Sequence, residues 1–239
     1  MITLCQFTTG PVWGVNPSPF CMKVESYLRL AGIPYRLRAA LPHKAPKGKL
    51  PFIIEEDGRL VPDSGQILAH LEATRGAPLD GGLDSGQRAL AHLVHRTCDE
   101  SLFFISLYGR WIEPQGWAVL RSTLFASLPP PLSWIIPPLI RRGLARDLRG
   151  QGTLRHSREE IYALGGADLD ALAALLGDKP FFIAARPTTA DITAHAFLAN
   201  ILKPPFDTPL QAHARTLPAL TAFTNRMDGL IAATPGPTE

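Results

Sequence analysis

Asn16-Pro17-Ser18-Pro19-Phe20-Cys21-Met22-Lys23-Val24-Glu25 is the stretch whose reading decides the fold. Ser18 is a strong N-cap residue and Pro19 suits the first helical position, so a helix starts here. Phe20, Val24, Tyr27, Leu28 and Ala31 then recur at helical spacing, and Gly32 stands where a glycine closes a helix. A helix N-terminus offers unsatisfied N–H groups and partial positive charge, which favour a nearby thiolate.

Upstream, Ile2 to Phe7 reads as a short apolar strand, joined to the helix by a loop containing Gly10, Pro11, Gly14 and Pro17. Downstream, Tyr35 to Arg38 reads as a second strand and Phe52 to Glu55, opened by Pro51, as a third. Glu56-Asp57-Gly58 predicts a hairpin turn into a fourth strand, Arg59 to Val61. Ser64 is then expected to cap a helix carrying Ile67, Leu68 and Leu71. The order βαβ followed by ββα is the thioredoxin-like arrangement, with the first strand pair parallel and the last antiparallel.

Residues 76–87, rich in Gly, Asp and Ser, read as a linker between a first domain over 1–75 and a second over 88–239. The second shows helical periodicity throughout: Leu90 to Ile105, Ile161 to Leu176, Ala190 to Leu202, and Leu220 to Ile231. Strands in one half and helices in the other give α/β plus all-α, a thioredoxin-like domain followed by a helical one. Thr188-Thr189-Ala190-Asp191 has the T-x-x-D form of a capping box, which assigns Thr188 and Asp191 a structural role. Thr234 to Glu239 reads as a loose tail.

The 239 residues carry a net charge of +3, a mild excess that does not point to nucleic acid. Cys5, Cys21 and Cys98 are odd in number and widely spaced, so a reducing compartment is expected rather than a disulfide framework. No signal peptide is visible at the start of the chain, and the expectation is a cytoplasmic protein. Leu132 to Ile140 is the most apolar run, too short to cross a bilayer and interrupted by Pro137 and Pro138. Contact with a membrane surface stays open. Seven histidines are scattered; His92 and His95 share a helical turn with no third ligand placed by the sequence, so no metal is expected.

The Ser18 segment resembles the active-site turn of glutaredoxins and glutathione transferases. Ser18 and Cys21 occupy the two positions that hold cysteines in a C-P-[YF]-C motif. The outer one has become serine, as in serine-type transferases, whose hydroxyl donates a hydrogen bond to the glutathione sulfur. The resemblance extends to Lys49-Leu50-Pro51-Phe52, for which it implies a cis Leu50–Pro51 bond. It also implies pairing of the Leu50 main chain with the glutathione backbone and a contact from Lys49 to a carboxylate. Asp63-Ser64 resembles the pair that holds the γ-glutamyl group at a helix N-terminus. Taken with Ser18-Pro19-Phe20-Cys21, the arginine-rich stretch over 141–158 and Leu175 to Phe182 resemble the branch that holds the failed-axon-connections proteins and, more distantly, the metaxins.

The resemblance implies a glutathione S-transferase with glutathione as cosubstrate, a small apolar electrophile in the interdomain cleft, detoxification as the role, and a homodimer. Trp111, Trp117 and Tyr108 are candidates for lining the second pocket. Two rivals stay open: a glutathione-dependent thiol reductase using Cys21, and a non-catalytic adaptor. The arginines of 141–158 are open between an acidic cosubstrate, anionic lipid and a plain solvated face.

Overall fold

A computed structural model describes residues 1–8, 10–75 and 78–238. Its strands β1 (Ile2–Gln6), β2 (Tyr35–Ala39), β3 (Phe52–Ile54) and β4 (Leu60–Pro62) form one sheet in the order β2-β1-β3-β4. β1 and β2 are parallel, joined by helix α1 (Pro19–Leu30), while β3 runs antiparallel to both β1 and β4. All five residues of β1 are buried, as expected for a central strand covered on both faces. Ala31 caps α1, and Gly32 follows with φ of +64°, the left-handed conformation that ends a helix without a Cβ penalty. Helix α2 (Ser64–Thr74) follows β4, completing the thioredoxin-like half.

The remaining elements are helical: α3 (Ser85–Arg96), α4 (Phe103–Trp111), α5 (Pro114–Thr123), α6 (Leu132–Gln151), α7 (Arg158–Leu176), α8 (Thr189–Leu202), α9 (Pro209–Arg215) and α10 (Pro218–Ala232). α3 begins inside the expected linker, because Asp84 and Gln87 form a reciprocal capping box from what reads as loop composition. Residues 76 and 77 of that linker lie outside the described residues. α3 passes into α4 through a π-helical turn, Thr97–Leu102. α4 and α5 cross so closely that a Cβ on Gly116 would fall inside the Gly109 carbonyl, so only glycine fits there. α6 runs unbroken through Pro137 and Pro138, correcting the expected interruption. The missing N–H groups free the carbonyls of Ser133 and Trp134 near the exposed helix start, where water can take them. The tail is not loose as far as Thr238, whose N–H donates to Tyr35 O at 2.8 Å on the edge of the sheet; Glu239 lies outside the described residues.

One apolar core runs through both halves, from Ile2 and Leu4 through Val24 and Tyr27 to Phe197, Phe223 and Met227. Its helical centre is α8, almost wholly buried, whose N-terminus is tied down by polar groups. Asp191, fully buried, accepts from Thr188 N and Oγ1 (2.9 and 2.6 Å) and from Phe182 N at 2.7 Å. Thr189 donates from N and Oγ1 to Asp80 at 2.9 and 2.6 Å. Glu72 of α2 accepts from the N–H groups of Leu79 and Asp80 and from the Tyr27 hydroxyl, so the connecting segment is clasped from both sides.

His95 of α3 sits against the same corner, with Nε2 3.0 Å from Thr189 Oγ1 and Nδ1 2.8 Å from Thr193 Oγ1. The Thr189 hydroxyl proton goes to Asp80, so the ring donates to that oxygen from Nε2, while the Thr193 hydroxyl is shared between Nδ1 and Thr189 O at 2.9 Å. Burial, and secondarily the Lys23 charge, push His95 down to about 4. A depressed folded value leaves stability intact above about pH 6.5 and removes it as the pH falls, because the unfolded chain takes up the proton first. Urea unfolding is expected to show a loss of about 3 kcal/mol from this group between roughly pH 7 and pH 4. His95→Gln is expected to flatten that part of the profile; an unchanged profile would remove His95 as its cause.

Candidate functional site at one end of the sheet

Sheet register gathers the predicted residues. Cys5 pairs with Phe52, and Phe52 with Pro62, so the chain leaving β1, the chain entering β3 and the chain leaving β4 lie side by side. The first leads to Ser18, the second is Leu50-Pro51, and the third is Asp63-Ser64.

Ser18 is the N-cap of α1, accepting from Cys21 N at 3.3 Å, and is partly exposed. That bond uses a lone pair and leaves the hydroxyl proton available for a ligand. Cys21 is fully buried, with Cys5, Ala45, Leu50 and Phe52. Burial pushes its thiol up to about 12, against a smaller lowering effect from the nearby Ser18 hydroxyl. Such a thiol is protonated at neutral pH and unsuited to nucleophilic attack.

Leu50–Pro51 is cis, the isomer implied by the resemblance. The Leu50 side chain is buried, and among the described residues its N–H and C=O find no partner. They form a free donor–acceptor pair at the sheet end. Lys49 beside it is exposed. At the third segment the structure corrects the sequence reading: Asp63, not Ser64, is the N-cap of α2. Its Oδ1 accepts from Gly65 N and Gln66 N at 3.0 and 3.2 Å. Asp63 holds φ of +74°, a costly conformation for a residue with a Cβ and one that clusters at ligand sites. Ser64 is the first helical residue, buried, with its N–H in the unpaired first turn.

The loop before Ser18 is held from the helical half. Asn16 O accepts from Asn200 Nδ2 at 3.1 Å, and Pro17 O from Arg110 Nη1 at 3.0 Å. Arg110 also donates to Asn200 O and Oδ1 at 2.5 and 3.1 Å, and its guanidinium lies 5.1 Å from the centre of the Phe206 ring. Trp13 meets the same ring edge-on. Burial lowers Arg110 to about 10, which leaves it charged at neutral pH. Next to the loop, Lys23 of α1, wholly buried, donates to both oxygens of Asp99 at 2.9 and 2.8 Å.

The glutathione S-transferase N-terminal domain model matches residues 19–116, and the C-terminal domain model matches residues 165–227. An isoprene-epoxide–glutathione S-transferase of a Rhodococcus species is 31% identical over 240 residues, covering 95% of this chain and 98% of the relative. The chain belongs to the glutathione S-transferase superfamily. Failed axon connections of Drosophila melanogaster is 33% identical over 84% of this chain, which spans 50% of that relative's length. Mouse metaxin-1 is 26% identical over 84% of the chain and 66% of its own length. The fold agrees with a solved glutathione S-transferase of Methylobacterium radiotolerans in complex with glutathione sulfonate. That match has a TM-score of 0.62 at 20% identity and covers 100% of this chain and 96% of the other.

Beside Pro19, this transferase-family chain has a narrow crevice lined by Phe103, Ser106, Leu107, Arg110, Phe197 and Asn200. None of the expected pocket residues reaches it. Trp111 and Trp117 pack with Phe125, and Arg141 covers Trp117. Tyr108 bonds Glu113, which Arg158 grips with two hydrogen bonds. Among the described residues no cluster of three metal-ligating side chains forms. Sequence reasoning missed Arg110 and Asn200, which carry no motif. Polarity does not single them out, since α8 also carries Asp191, Thr193 and His195.

Arg110→Met would leave Pro17 O and both Asn200 acceptors without their donor. A stability loss of about 2–4 kcal/mol is expected by urea unfolding. Hydrogen exchange at the Ser18 and Cys21 amides is expected to quicken more than in the rest of α1. Uniform quickening would show that Arg110 supports the fold alone and not the loop.

Proposed function

We propose that this chain conjugates glutathione to an apolar electrophile, with the Ser18 hydroxyl holding the attacking thiolate. The observation that carries the reading is the convergence of Ser18, Leu50 and the Asp63-Ser64 turn at one end of the sheet. In this reading the Leu50 N–H and C=O pair with the cysteinyl backbone of glutathione in the manner of an added strand. The Ser64 N–H and hydroxyl, at the positive end of α2, take the γ-glutamyl carboxylate. Asp63 faces its ammonium, and Lys49 reaches the glycyl carboxylate.

The free thiol of a cysteine, with a pKa of ~8.5, is mostly protonated at neutral pH. The N-terminus of α1 and a hydrogen bond from Ser18 both favour its thiolate. The sulfur then attacks an electrophilic carbon, forming the C–S bond as the carbon–leaving-group bond breaks. Phe103, Leu107 and Phe197 line the narrow crevice next to Pro19, and an apolar electrophile would lie against its mouth. The name of the Rhodococcus relative makes an epoxide the first electrophile to try. The reductase alternative fares worse, because Cys21 is sealed in the core.

Calorimetric titration with glutathione tests binding, and thiolate absorbance of the complex against pH tests activation. Ser18→Ala is expected to move the thiol titration to higher pH. At neutral pH it should lower conjugation by about tenfold to a hundredfold, the loss of one hydrogen bond to a charged group. Cys21→Ala is expected to change conjugation little once its effect on stability is accounted for. Conjugation that survives Ser18→Ala and is abolished by Cys21→Ala would overturn the assignment. Absence of glutathione binding would favour the non-catalytic reading.

A further inference from the structure

We infer that the outer face of α6 is a docking surface for a membrane that carries anionic headgroups. Leu132, Ile135, Leu139, Arg142, Arg146 and Arg149 follow one another at intervals of three and four residues, so they form one stripe along the helix. All six are exposed, the three apolar ones at 44%, 51% and 56%. The opposite face is fixed to the protein: Pro137 and Leu148 are buried, and Arg141 donates to the Trp111 and Ile112 carbonyls at 2.7 and 2.8 Å. The stripe is therefore uncovered by the rest of the chain, apolar in its first half and basic in its second. Trp134, 68% exposed, lies in the same first turns but about 100° round the helix from Ile135, to one side of the stripe.

Charge selects the occupant. Arg142, Arg146 and Arg149 form no ion pair among the described residues, and Asp147 is the one acid in α6. Arg146, Arg149 and Arg155 also rim an open concavity floored by Gly150 and Leu154, at the basic end of the stripe. A second copy of the chain fits poorly. Parallel pairing of two α6 stripes would set arginine on arginine, and antiparallel pairing would bury the arginines against Leu132 and Ile135. A bilayer surface satisfies both halves at once, taking the apolar side chains below its headgroups, the indole at their level and the arginines among its phosphates. No helix among the described residues is long and apolar enough to cross a membrane, so the contact is one of a helix lying on the surface.

The test is cosedimentation of the full chain with vesicles of phosphatidylcholine alone and of phosphatidylcholine mixed with phosphatidylserine. Trp134 emission is read in parallel, by difference from Trp134→Phe. Binding is expected only with phosphatidylserine present, with a blue shift of Trp134 and weakening as salt is raised. Arg142→Gln with Arg146→Gln is expected to weaken partitioning about thirtyfold, from ~1 kcal/mol per basic side chain. Ile135→Ser with Leu139→Ser should abolish the Trp134 shift. Thermal unfolding and glutathione titration check that these exposed substitutions leave the fold intact. Equal binding to both vesicle types, no binding to either, or binding that ignores both pairs of substitutions would overturn the proposal. So would a concentration-dependent dimer that Leu139→Ser dissociates, since α6 would then face a second copy.

Discussion

A buried arginine with no carboxylate partner among the described residues fixes the geometry of the candidate site. Arg110 lies at the end of α4, and its guanidinium reaches Asn200 O in the last turn of α8, so it sits at the negative ends of two helices. Those carbonyls, the Asn200 amide oxygen and the Phe206 ring replace the counterion that a buried cation ordinarily needs. The remaining acceptor is Pro17 O, on the residue before Ser18. The position of Ser18 is thus set by the helical half as much as by the strand it follows. A carboxylate partner would have steadied the arginine equally well and cancelled its field. Without one, the positive charge adds to that of the α1 N-terminus, and an anion held at Ser18 feels both.

The same economy joins the two halves elsewhere. Lys23 on α1 pairs with Asp99 on the π-helical turn, where the wider turn interrupts the register of α3 and α4. Glu72 and Thr189 hold the connecting segment from opposite sides. With one apolar core running across the seam, neither half presents a face that another element does not cover there. The cleft beside Ser18 therefore inherits the rigidity of two packed layers. That suits a site that must hold its ligand in one position.

Much of this was legible in the sequence. Ser18-Pro19 and Gly32 marked both ends of α1, and the Glu56-Asp57-Gly58 turn marked the last hairpin, because capping and turn chemistry are local and carried by a few residue types. The reading of Asp63 and Ser64 failed by one residue, since both can cap and only the backbone, turned to positive φ at Asp63, decides which one does. Asp84 and Gln87 were read as linker because a capping box and a polar loop share a composition. The tail was misread because its bonds to Tyr35 and Arg29 are long-range, with nothing local to announce them. The pocket aromatics were misassigned for a similar reason. Tryptophans in a helical half suggest a ligand wall, yet Trp111 and Trp117 serve as packing for Arg141, while the crevice took Phe103, Leu107 and Phe197 from the core-facing pattern. Periodicity says that a residue faces inward; it does not say which part of the interior is left open.

Ser18 and Cys21 show how one helical turn separates two chemistries. The N-cap stands outside the helix, where its hydroxyl meets solvent or ligand. Three residues on, the side chain has rotated onto the sheet, and Cys21 enters the cluster of Cys5, Ala45, Leu50 and Phe52. Burial pushes its thiol up to about 12, so Cys21 stays protonated at neutral pH. Redox exchange through Cys21 would need that cluster to open. Cys21 packs in the same cluster as the Leu50 side chain. The inner position of the motif is thus a packing residue at the sheet end, while the outer position keeps a partly exposed hydroxyl.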